Sequence, residues 1–337
     1  MRRSGFALMI LMIMAVSVAG AGEVGHFSPG LASIRDFVVP APGFYGILYN
    51  YGYMSDQIND SEGEEISQVT IGQPPMSATL DLDVDVDVTV FSPGLMWASN
   101  WKIFGATYAA CFMVPLANTS IGASLATQTG AGRSVDESQF GLGDMFVQPL
   151  WLGWNKPHAD FALGYGLYIP TGRYETETVA IPVVGEIRTE ATDNIGLGFL
   201  THQLQGAFSW YPWTDRRMAV AGALSWEIHG EKEDFDLTPG QNLSLNWGVS
   251  QYLPLNTKRT LIAEIGPAGY DSWQVTDDDG AAARNPSVHD DVHGVGMQLG
   301  AIYVPWRVTA NLRYLYEFAA SDRFDGQSIG LNLAKSF

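Results

Sequence analysis

The sequence predicts an all-β protein, an antiparallel up-and-down transmembrane β-barrel with about 12 strands. Three observations carry this prediction. Apolar and polar residues alternate with a period of two in many segments of ten or more residues. The connections between these segments alternate between long and short. The last alternating segment ends on an aromatic residue, Phe337, which is typical of outer-membrane proteins.

The N-terminus has the features of a secretory signal peptide. Arg2 and Arg3 precede the apolar run 6–18, and Ala19-Gly20-Ala21 forms a small-residue cleavage site. We therefore expect residues 1–21 to be removed, residues 22–42 to form an N-terminal periplasmic segment and residues 43–337 to form the barrel. Export through a signal peptide and a barrel fold predict location in the bacterial outer membrane.

Twelve segments show the alternation that is typical of a barrel strand. In 160–172, for example, Phe161, Leu163 and Tyr165 alternate with Ala162 and Gly164. The segment 80–98 loses its phase near Ser92, and this predicts a β-bulge. The twelve segments are 43–54, 80–98, 102–117, 140–154, 160–172, 193–211, 216–230, 240–254, 259–276, 291–304, 306–319 and 327–337.

The connections favour an outer-membrane barrel over a soluble β-sandwich, because barrels have short periplasmic turns and longer outer loops. Aromatic residues cluster near the short connections, as in an interfacial girdle: Trp101, Trp151, Trp154, Tyr211, Trp213 and Trp306. The long connections are 55–79, 118–139, 173–192, 231–239, 277–290 and 320–326. The short ones are 100–101, 155–159, 212–215, 255–258 and residue 305.

Composition narrows the range of functions. The net charge of −18 argues against nucleic-acid binding, which needs a basic surface. The charge is explained either by solubility or by an acidic surface that attracts cations. Cys111 is the single cysteine, so no disulfide can form within the chain, and we expect it to act as a small apolar strand residue.

The segment 80–90 reads "LDLDVDVDVTV", with aliphatic residues on one face and carboxylates on the other. In a barrel wall the aliphatic face can meet lipid. The carboxylates then face the lumen, or face water where the strand extends above the membrane. The spacing of ~6.6–7 Å between neighbours suits a charged rail. The carboxylates are Asp81, Asp83, Asp85 and Asp87.

Further charges are predicted on the inner wall. Arg307, Arg313 and Glu317 share one parity of the segment 306–319, and Glu264 and Glu227 are expected to face inward. Charges of both signs across a narrow lumen create a transverse field, as in channel constrictions. The alternative is a lumen closed by mutual ion pairs.

Several stretches resemble a family of outer-membrane proteins named after the meta-pathway of phenol degradation, often described as transporters. The resemblance implies an outer-membrane barrel that passes hydrophobic or aromatic compounds, and it implies no catalytic residues. The stretches are "PAPGFYGILYNYGYM" (40–54), "GLGDMFVQPLWLGW" (141–154), "YIPTGRY" (168–174), "QVTDDDG" (274–280) and "RYLYEFAASDRFDGQSIGLNLAKSF" (313–337).

Other chemistry has weaker support. Asp277, Asp279, His289 and His293 are candidate metal ligands in an acidic loop, but their spacing fits neither an EF-hand nor a helical zinc motif. Gly141-x-Gly143 and Gly196-x-Gly198 do not open helices, so they fit strand glycines and not nucleotide loops. No cofactor is expected.

The sequence thus predicts a passive channel for small molecules and not an enzyme. A closed structural or adhesive barrel that acts through its outer loops is the first alternative. A barrel hydrolase using His202 or His229 is the second; it lacks a Gly-x-Ser-x-Gly motif, and we expect strand histidines to be hydrogen-bonded lumen residues. The expected partners are outer-membrane lipid, small-molecule solutes and, through Phe337, the outer-membrane assembly machinery.

Overall fold

A computed structural model describes residues 24–73, 76–126, 132–181, 185–191, 194–283 and 285–337. The signal peptide predicted for residues 1–21 lies outside this range. Among the described residues, no helix is long and apolar enough to cross a membrane. The elements are β1 Gly43–Ile58, β2 Gln68–Gln73, β3 Met76–Ile103, β4 Ala106–Met113, β5 Leu116–Ala126, β6 Gly132–Leu142, β7 Met145–Asn155, β8 Ala159–Ile169, β9 Thr176–Ile181, β10 Gly185–Glu190, β11 Thr201–Trp210, β12 Met218–His229, β13 Asn242–Pro254, β14 Leu261–Gln274, β15 Asp291–Tyr303, a 3₁₀ turn Val304–Trp306, β16 Val308–Ser321 and β17 Phe324–Ser336.

Twelve of the described strands close into one antiparallel barrel. The order around the wall is β1-β17-β16-β15-β14-β13-β12-β11-β8-β7-β4-β3, and β3 pairs back with β1. The closing contact runs in register from Gly43↔Ala98 to Ser55↔Val86. The predicted all-β barrel with twelve strands is therefore confirmed.

The other described strands belong to the long outer connections. β2 pairs with the start of β3, β5 and β6 continue the sheet beside the same part of β3, and β9 and β10 form a separate hairpin. The long connections 55–79, 118–139 and 173–192 therefore contain β-structure.

β3 has 28 residues and no bulge at Ser92. Its pairing with β1 continues through Ser92 without a shift, and its irregularity lies further on, between Ala98 and Lys102, where it pairs with β4. The apolar residues of β3 change from one face of the strand to the other, and a bulge is not the cause. Leu95 is exposed on the outer face of the barrel, whereas Val84 and Val86 are buried on the inner face of the part that extends outward.

The short connections lie together at one end of the barrel. They comprise residues 104–105, 156–158, 211–217, 255–260 and 304–307. The first tight turn is therefore at Phe104-Gly105 and not at the predicted 100–101, and Phe104 has a positive φ of 50°. By the general arrangement of outer-membrane barrels, this is the periplasmic end.

Exposed aromatic rings surround the periplasmic end, and three of the six predicted girdle residues are among them, while Trp154 is half-buried. Trp101, Trp213 and Trp306 are 62%, 54% and 68% exposed. Trp151 and Tyr211 are instead buried and do not belong to the girdle.

Residues 24–42 form an irregular segment that lies within the barrel. The backbone and side chains of this segment hydrogen-bond to inward-facing residues of β12, β13, β15, β16 and β17. This location differs from the periplasmic one expected for residues 22–42. The interior of a barrel widens with strand number, and twelve strands enclose more space than the eight whose own side chains fill the interior. The segment therefore fits within the lumen and divides it.

Candidate functional site

The N-terminal segment is held along a polar side of the inner wall. The Gly30 amide donates to Asn246 Oδ1 at 2.8 Å, and the Ile34 amide donates to Gln298 Oε1 at 3.0 Å. Arg313 donates through one guanidinium nitrogen to the Gly30 carbonyl at 3.1 Å. An irregular segment has no ladder partners of its own, so side chains of the wall satisfy its buried backbone groups.

Arg35 fixes the periplasmic part of the segment. Its Nε donates to Ser250 Oγ at 2.6 Å and lies 3.3 Å from Glu264 Oε1. Its guanidinium carbon lies 3.7 Å from the centre of the Tyr252 ring. Glu264 is therefore paired across the lumen by the segment, which is the structural reason that a carboxylate can be buried at this point.

His26 fixes the outer part of the segment. Its Nε2 lies 3.0 Å from Asp144 Oδ2. Asp144 also accepts hydrogen bonds from the backbone amides of Gly172, at 2.8 Å, and Leu197, at 2.9 Å. One carboxylate thus joins the segment to the loops before β7, after β8 and before β11.

The Asp144 carboxyl is adapted to remain charged. Burial alone would raise its pKa, but the hydrogen bonds from His26, Leu197 and Gly172 outweigh that effect and hold its pKa below the usual value.

The second ring nitrogen of His26, Nδ1, lies 2.8 Å from Thr201 Oγ1, and this hydroxyl lies 2.7 Å from His229 Nδ1.

The opposite side of the lumen is apolar. Side chains of the segment, including Phe37 and Val39, pack against inward-facing residues of β3, β4 and β7. The wall residues of this cluster include Met96, Ala98, Ala109, Cys111, Met113 and Trp151, with Tyr45, Ile47, Tyr49 and Phe146 beside them.

A cavity of about 480 Å³ lies between the segment and the wall. Asp144 and Leu197 line its outer end, and Pro40 and Tyr45 line its periplasmic end. Its middle part is lined by Met96, Cys111, Met113, Phe146 and Trp151. The cavity therefore follows the apolar side of the wall along most of its height.

Four of the predicted wall charges face inward, and one of them, Glu227, is buried and accepts a hydrogen bond from the Phe27 amide at 3.0 Å. Glu264 and Arg313 contact the segment as described above, and both are buried. Glu317 accepts hydrogen bonds from Tyr53, at 2.8 Å, and from Tyr270. Glu264 forms an ion pair with Arg35 of the segment, whereas Arg313 and Glu317 are held by hydrogen bonds to uncharged groups. These contacts therefore bind the charges of the inner wall, and they are not mutual ion pairs between those charges.

The aspartate row does not line the lumen. Asp81, Asp83, Asp85 and Asp87 are exposed on the outward face of β3, and this corrects their assignment to the pore wall. The inner face of the same part of β3 carries Leu82, Val84 and Val86, and these side chains pack with Ile58, Ala123 and Phe324. Because this part of the strand extends beyond the barrel wall, its outer face can meet water, which was the second interpretation of the pattern.

Arg307 is also not a wall residue. It is exposed in the turn before β16, with a φ of 52°, and one of its guanidinium nitrogens donates to the Phe337 carbonyl at 3.4 Å. The inward parity of β16 begins only after the turn, so the sequence pattern extended the strand by too many residues.

The candidate metal ligands do not converge. His289 Nε2 lies 2.8 Å from Asp277 Oδ1, whereas His293 Nδ1 lies 2.6 Å from Asp271 Oδ1 on the outer face of the wall. Within the described residues, no group of three or more His, Cys, Asp or Glu side chains could hold a metal ion.

The two strand histidines have different surroundings. His202 stacks with Tyr165 on the outward face, where its Nδ1 lies 2.8 Å from the Tyr165 hydroxyl, so it is not the lumen residue we expected. His229 is buried in the lumen between Thr201 and Asn242. Neither ring is hydrogen-bonded to a serine hydroxyl in the described structure, so the geometry gives no support to a Ser–His pair.

Sequence reasoning missed His26, Arg35 and Asp144. A usable signal exists for Asp144, which ends the stretch "GLGD" and accepts hydrogen bonds from the backbone amides of Gly172 and of Leu197, the residue after Gly196. A Cβ on Gly172 would lie 2.7 Å from the Gly196 Cα, so these glycines permit the two loops to meet at one carboxylate.

Comparison with known proteins identifies the family. The family model described as "Putative MetA-pathway of phenol degradation" matches residues 55–333. The chain belongs to this family. No curated protein matches the sequence.

Solved structures with similar folds are outer-membrane barrels. The outer membrane channel from Pseudomonas putida F1 aligns with a TM-score of 0.58 and 12% identity, over 91% of this chain and 100% of that chain. The beta domain of the Bordetella autotransporter BrkA aligns with a TM-score of 0.50 and 10% identity, over 88% of this chain and 100% of that chain. The family member described here thus has the fold of an outer-membrane β-barrel.

Proposed function

We propose that this protein is a passive outer-membrane channel for small hydrophobic molecules, aromatic compounds among them, and not an enzyme. The observation that carries the proposal is the cavity between the N-terminal segment and the apolar wall. Its lining extends from Asp144 at the outer loops to Tyr45 near the periplasmic turns. A solute in this cavity meets sulfur-containing and aromatic side chains for much of the distance.

The division of the lumen supports a preference for apolar solutes. The polar wall is occupied by hydrogen bonds to the segment, and Glu264 and Arg313 are bound at the same time. A hydrated ion would have to replace these bonds, and this would cost several kcal/mol where charges are buried. An apolar solute needs no such exchange.

The comparisons support the same proposal. The similar structure from Pseudomonas putida F1 is described as an outer membrane channel. The family description refers to phenol degradation, which agrees with a small aromatic compound as the solute.

Uptake by cells tests the proposal. Cells that produce the protein should accumulate a radiolabelled monocyclic aromatic hydrocarbon faster than cells without it. Cys111→Phe places a ring in the cavity and should lower this rate severalfold. Ala110→Phe is the matched control, because Ala110 faces outward on the same strand, and it should leave the rate unchanged. Equal rates with and without the protein would contradict the proposal.

The single cysteine offers a second readout that is independent of uptake. Cys111 lines the cavity. An uncharged thiol reagent of small size should modify it in the folded protein faster than a charged reagent of the same size, and the aromatic hydrocarbon should slow the modification. Modification by both reagents at one rate would indicate a water-filled pore.

A barrel that acts through its outer loops remains the second candidate. The observation that favours it is the extension of β3 with β2, β5 and β6 into a sheet beyond the barrel wall. Under this alternative, loss of residues 116–142 would remove binding to surfaces, and Cys111→Phe would have no effect on uptake.

We also infer that Phe337 contributes to recognition by the outer-membrane assembly machinery. Its ring is 67% exposed, and its amide donates to the Phe44 carbonyl at 3.0 Å, so the ring lies at the edge where β17 meets β1. Phe337→Ala should lower the yield of folded protein in outer membranes while unassisted refolding in detergent stays efficient.

A further inference from the structure

The periplasmic end of the barrel is basic although the whole chain has a net charge of −18. In the described structure, each of the five short connections has an exposed lysine or arginine within it or two residues before it. Another lies at the end of β17. The exposed cations are Lys102, Lys156, Arg217, Lys258, Arg259, Arg307 and Lys335.

Most of these cations have no carboxylate partner. Arg217 pairs with Asp215, and the neighbouring Arg216 pairs with the buried Asp160. The other six form no ion pair within 4 Å with a described Asp or Glu side chain. Some of them have other partners: Lys102 Nζ donates to Thr107 Oγ1 at 2.6 Å, and Arg307 donates to the terminal Phe337 oxygen at 3.4 Å. An exposed lysine in a turn is ordinary, but cations without Asp or Glu partners at most of the turns of an acidic protein create a local positive potential.

The opposite end of the molecule has the reverse charge. The outward row on β3 is acidic, and so are the loop before β15 and the first residue of that strand. These residues are Asp81, Asp83, Asp85, Asp87, Asp277, Asp278, Asp279, Asp290 and Asp291. The barrel is therefore electrostatically polar along its axis, with the circle of cations at the periplasmic end.

The depth of the cations is fixed by the aromatic girdle. Lys335 donates through Nζ to the Trp306 carbonyl at 3.0 Å and lies 5.8 Å from the centre of the Phe337 ring. Lys102 follows Trp101 directly, and Arg307 follows Trp306. Tryptophan rings lie at the level of the lipid headgroups, so the cations lie at that level too.

We propose that the six cations without an Asp or Glu partner bind the phosphate groups of anionic phospholipids in the leaflet that faces the periplasm. Lipid fits better than a soluble partner for two reasons. The cations surround the barrel as a ring and do not form one patch. They also lie beside the aromatic girdle and not on a segment that reaches into the periplasm, because the turns are short. The six are Lys102, Lys156, Lys258, Arg259, Arg307 and Lys335.

Spin-labelled lipids test this proposal in bilayers that contain the folded protein. The fraction of lipid immobilised at the barrel surface is measured for phosphatidylglycerol and phosphatidylcholine. At low salt the wild-type protein should prefer phosphatidylglycerol by about threefold or more, since each cation near a membrane surface favours an anionic headgroup. High salt should reduce this ratio, because exposed charges are screened.

Neutralising variants assign the effect to the residues. Lys258→Gln, Arg259→Gln, Arg307→Gln and Lys335→Gln in one chain should bring the ratio close to one. The matched control removes four charges at the other end and should keep the wild-type ratio; it combines Asp81→Asn, Asp83→Asn, Asp85→Asn and Asp87→Asn. Folding of each variant is checked by heat-modifiable mobility in gel electrophoresis. If the fourfold variant does not fold, Lys258→Gln with Arg259→Gln should lower the ratio in part.

Three outcomes would overturn the proposal. The wild-type protein could show equal association with both lipids. The fourfold variant, or the double variant in its place, could keep the full preference. The protein in detergent could instead sediment with purified peptidoglycan and lose this binding in the variant, with no lipid preference; the ring would then be a cell-wall contact.

Discussion

His26 Nε2 lies 3.0 Å from Asp144 Oδ2, although 118 residues separate them in the chain. The His26 ring also stacks on Tyr168, with 5.0 Å between the ring centres. This contact attaches the N-terminal segment to the outer loops, and Arg35 attaches it near the periplasmic end. The position of the segment, and hence the width of the cavity, depends on these two attachments.

Asp144→Asn should loosen the outer attachment. A hydrogen bond to a charged group contributes roughly 1.5–3 kcal/mol, and the variant replaces the carboxylate that three donors share. We expect larger and more frequent conductance steps in a planar bilayer, since ions can pass when the segment moves. Asp56→Asn, an exposed change at the outer end of β1, is the control. Identical traces for wild type and Asp144→Asn would show that the contact does not hold the segment.

The same contact has a defined pH dependence. The pKa of Asp144 is lower in the folded protein than its usual value of about 4. Its stabilising contribution is therefore complete above about pH 4 and is lost as the pH falls through the lowered native pKa. Wild-type conductance should rise only in this acidic range. In Asp144→Asn the rise should be absent, because the amide does not titrate.

Asp83→Asn together with Asp85→Asn should leave ion selectivity unchanged. Both carboxylates are exposed on the outward face of β3, so they are not part of the ion path. Glu264→Gln is the informative comparison, because Glu264 is buried in the lumen beside Arg35 and its loss leaves that cation without its partner. Reversal potentials in a salt gradient should shift toward anion preference for Glu264→Gln alone.

The change of phase in β3 shows how much of this fold is predictable from its sequence. Around Leu95 the outer face is apolar because it meets lipid, whereas around Val84 the inner face is apolar because it packs on other strands. Alternation of apolar and polar residues thus predicts a strand both where it crosses the membrane and where it extends beyond the membrane. All twelve barrel strands are therefore predictable. Which face of a strand contacts water depends on the position of that part of the strand relative to the membrane. The apolar–polar pattern of a single strand does not give this position.

The segment of residues 24–42 was not predictable for a different reason. Its backbone amides bind side chains of distant strands, as Gly30 does with Asn246 and Ile34 does with Gln298. Such contacts leave no periodic pattern in the segment. The buried polar residues Asn246 and Gln298 are the visible trace, because an inward amide on a strand needs a partner.

Gly248→Val should displace the segment from the polar wall. A Cβ on Gly248 would lie 2.7 Å from Ile34 Cγ1, so a branched side chain cannot fit without movement of Ile34. We expect a loss of roughly 1–3 kcal/mol, as in overpacked cores, and faster proteolysis within residues 24–42. Gly222→Val is the control, since the nearest atom to its added Cβ is the Asn246 carbonyl oxygen at 3.6 Å. Equal proteolysis of the two variants would argue against a tight fit at Ile34.

Asp322→Asn should stabilise the protein at neutral pH. Asp322 follows β16, and burial together with Asp60, Asp290 and Asp291 raises its pKa in the folded state. A raised pKa means that its contribution to stability is complete below the unfolded pKa and is lost as the pH rises through the native pKa. At pH 7 the charged carboxylate is therefore unfavourable, and an amide removes the repulsion. Asparagine also tolerates the φ of 55° at this position.

The expected gain is a few tenths of a kcal/mol to about 1 kcal/mol, the range for like charges in a sheet. The midpoint of thermal unfolding in detergent should be higher for Asp322→Asn than for wild type at pH 7, and the two should coincide near pH 3. Asp234→Asn is the control, because Asp234 also has a positive φ, of 68°, but pairs with Arg188 at 2.6 Å. Its substitution removes an attraction and should give no gain. A rise of equal size in both variants would mean that the general reduction of negative charge, and not the surroundings of Asp322, determines the stability.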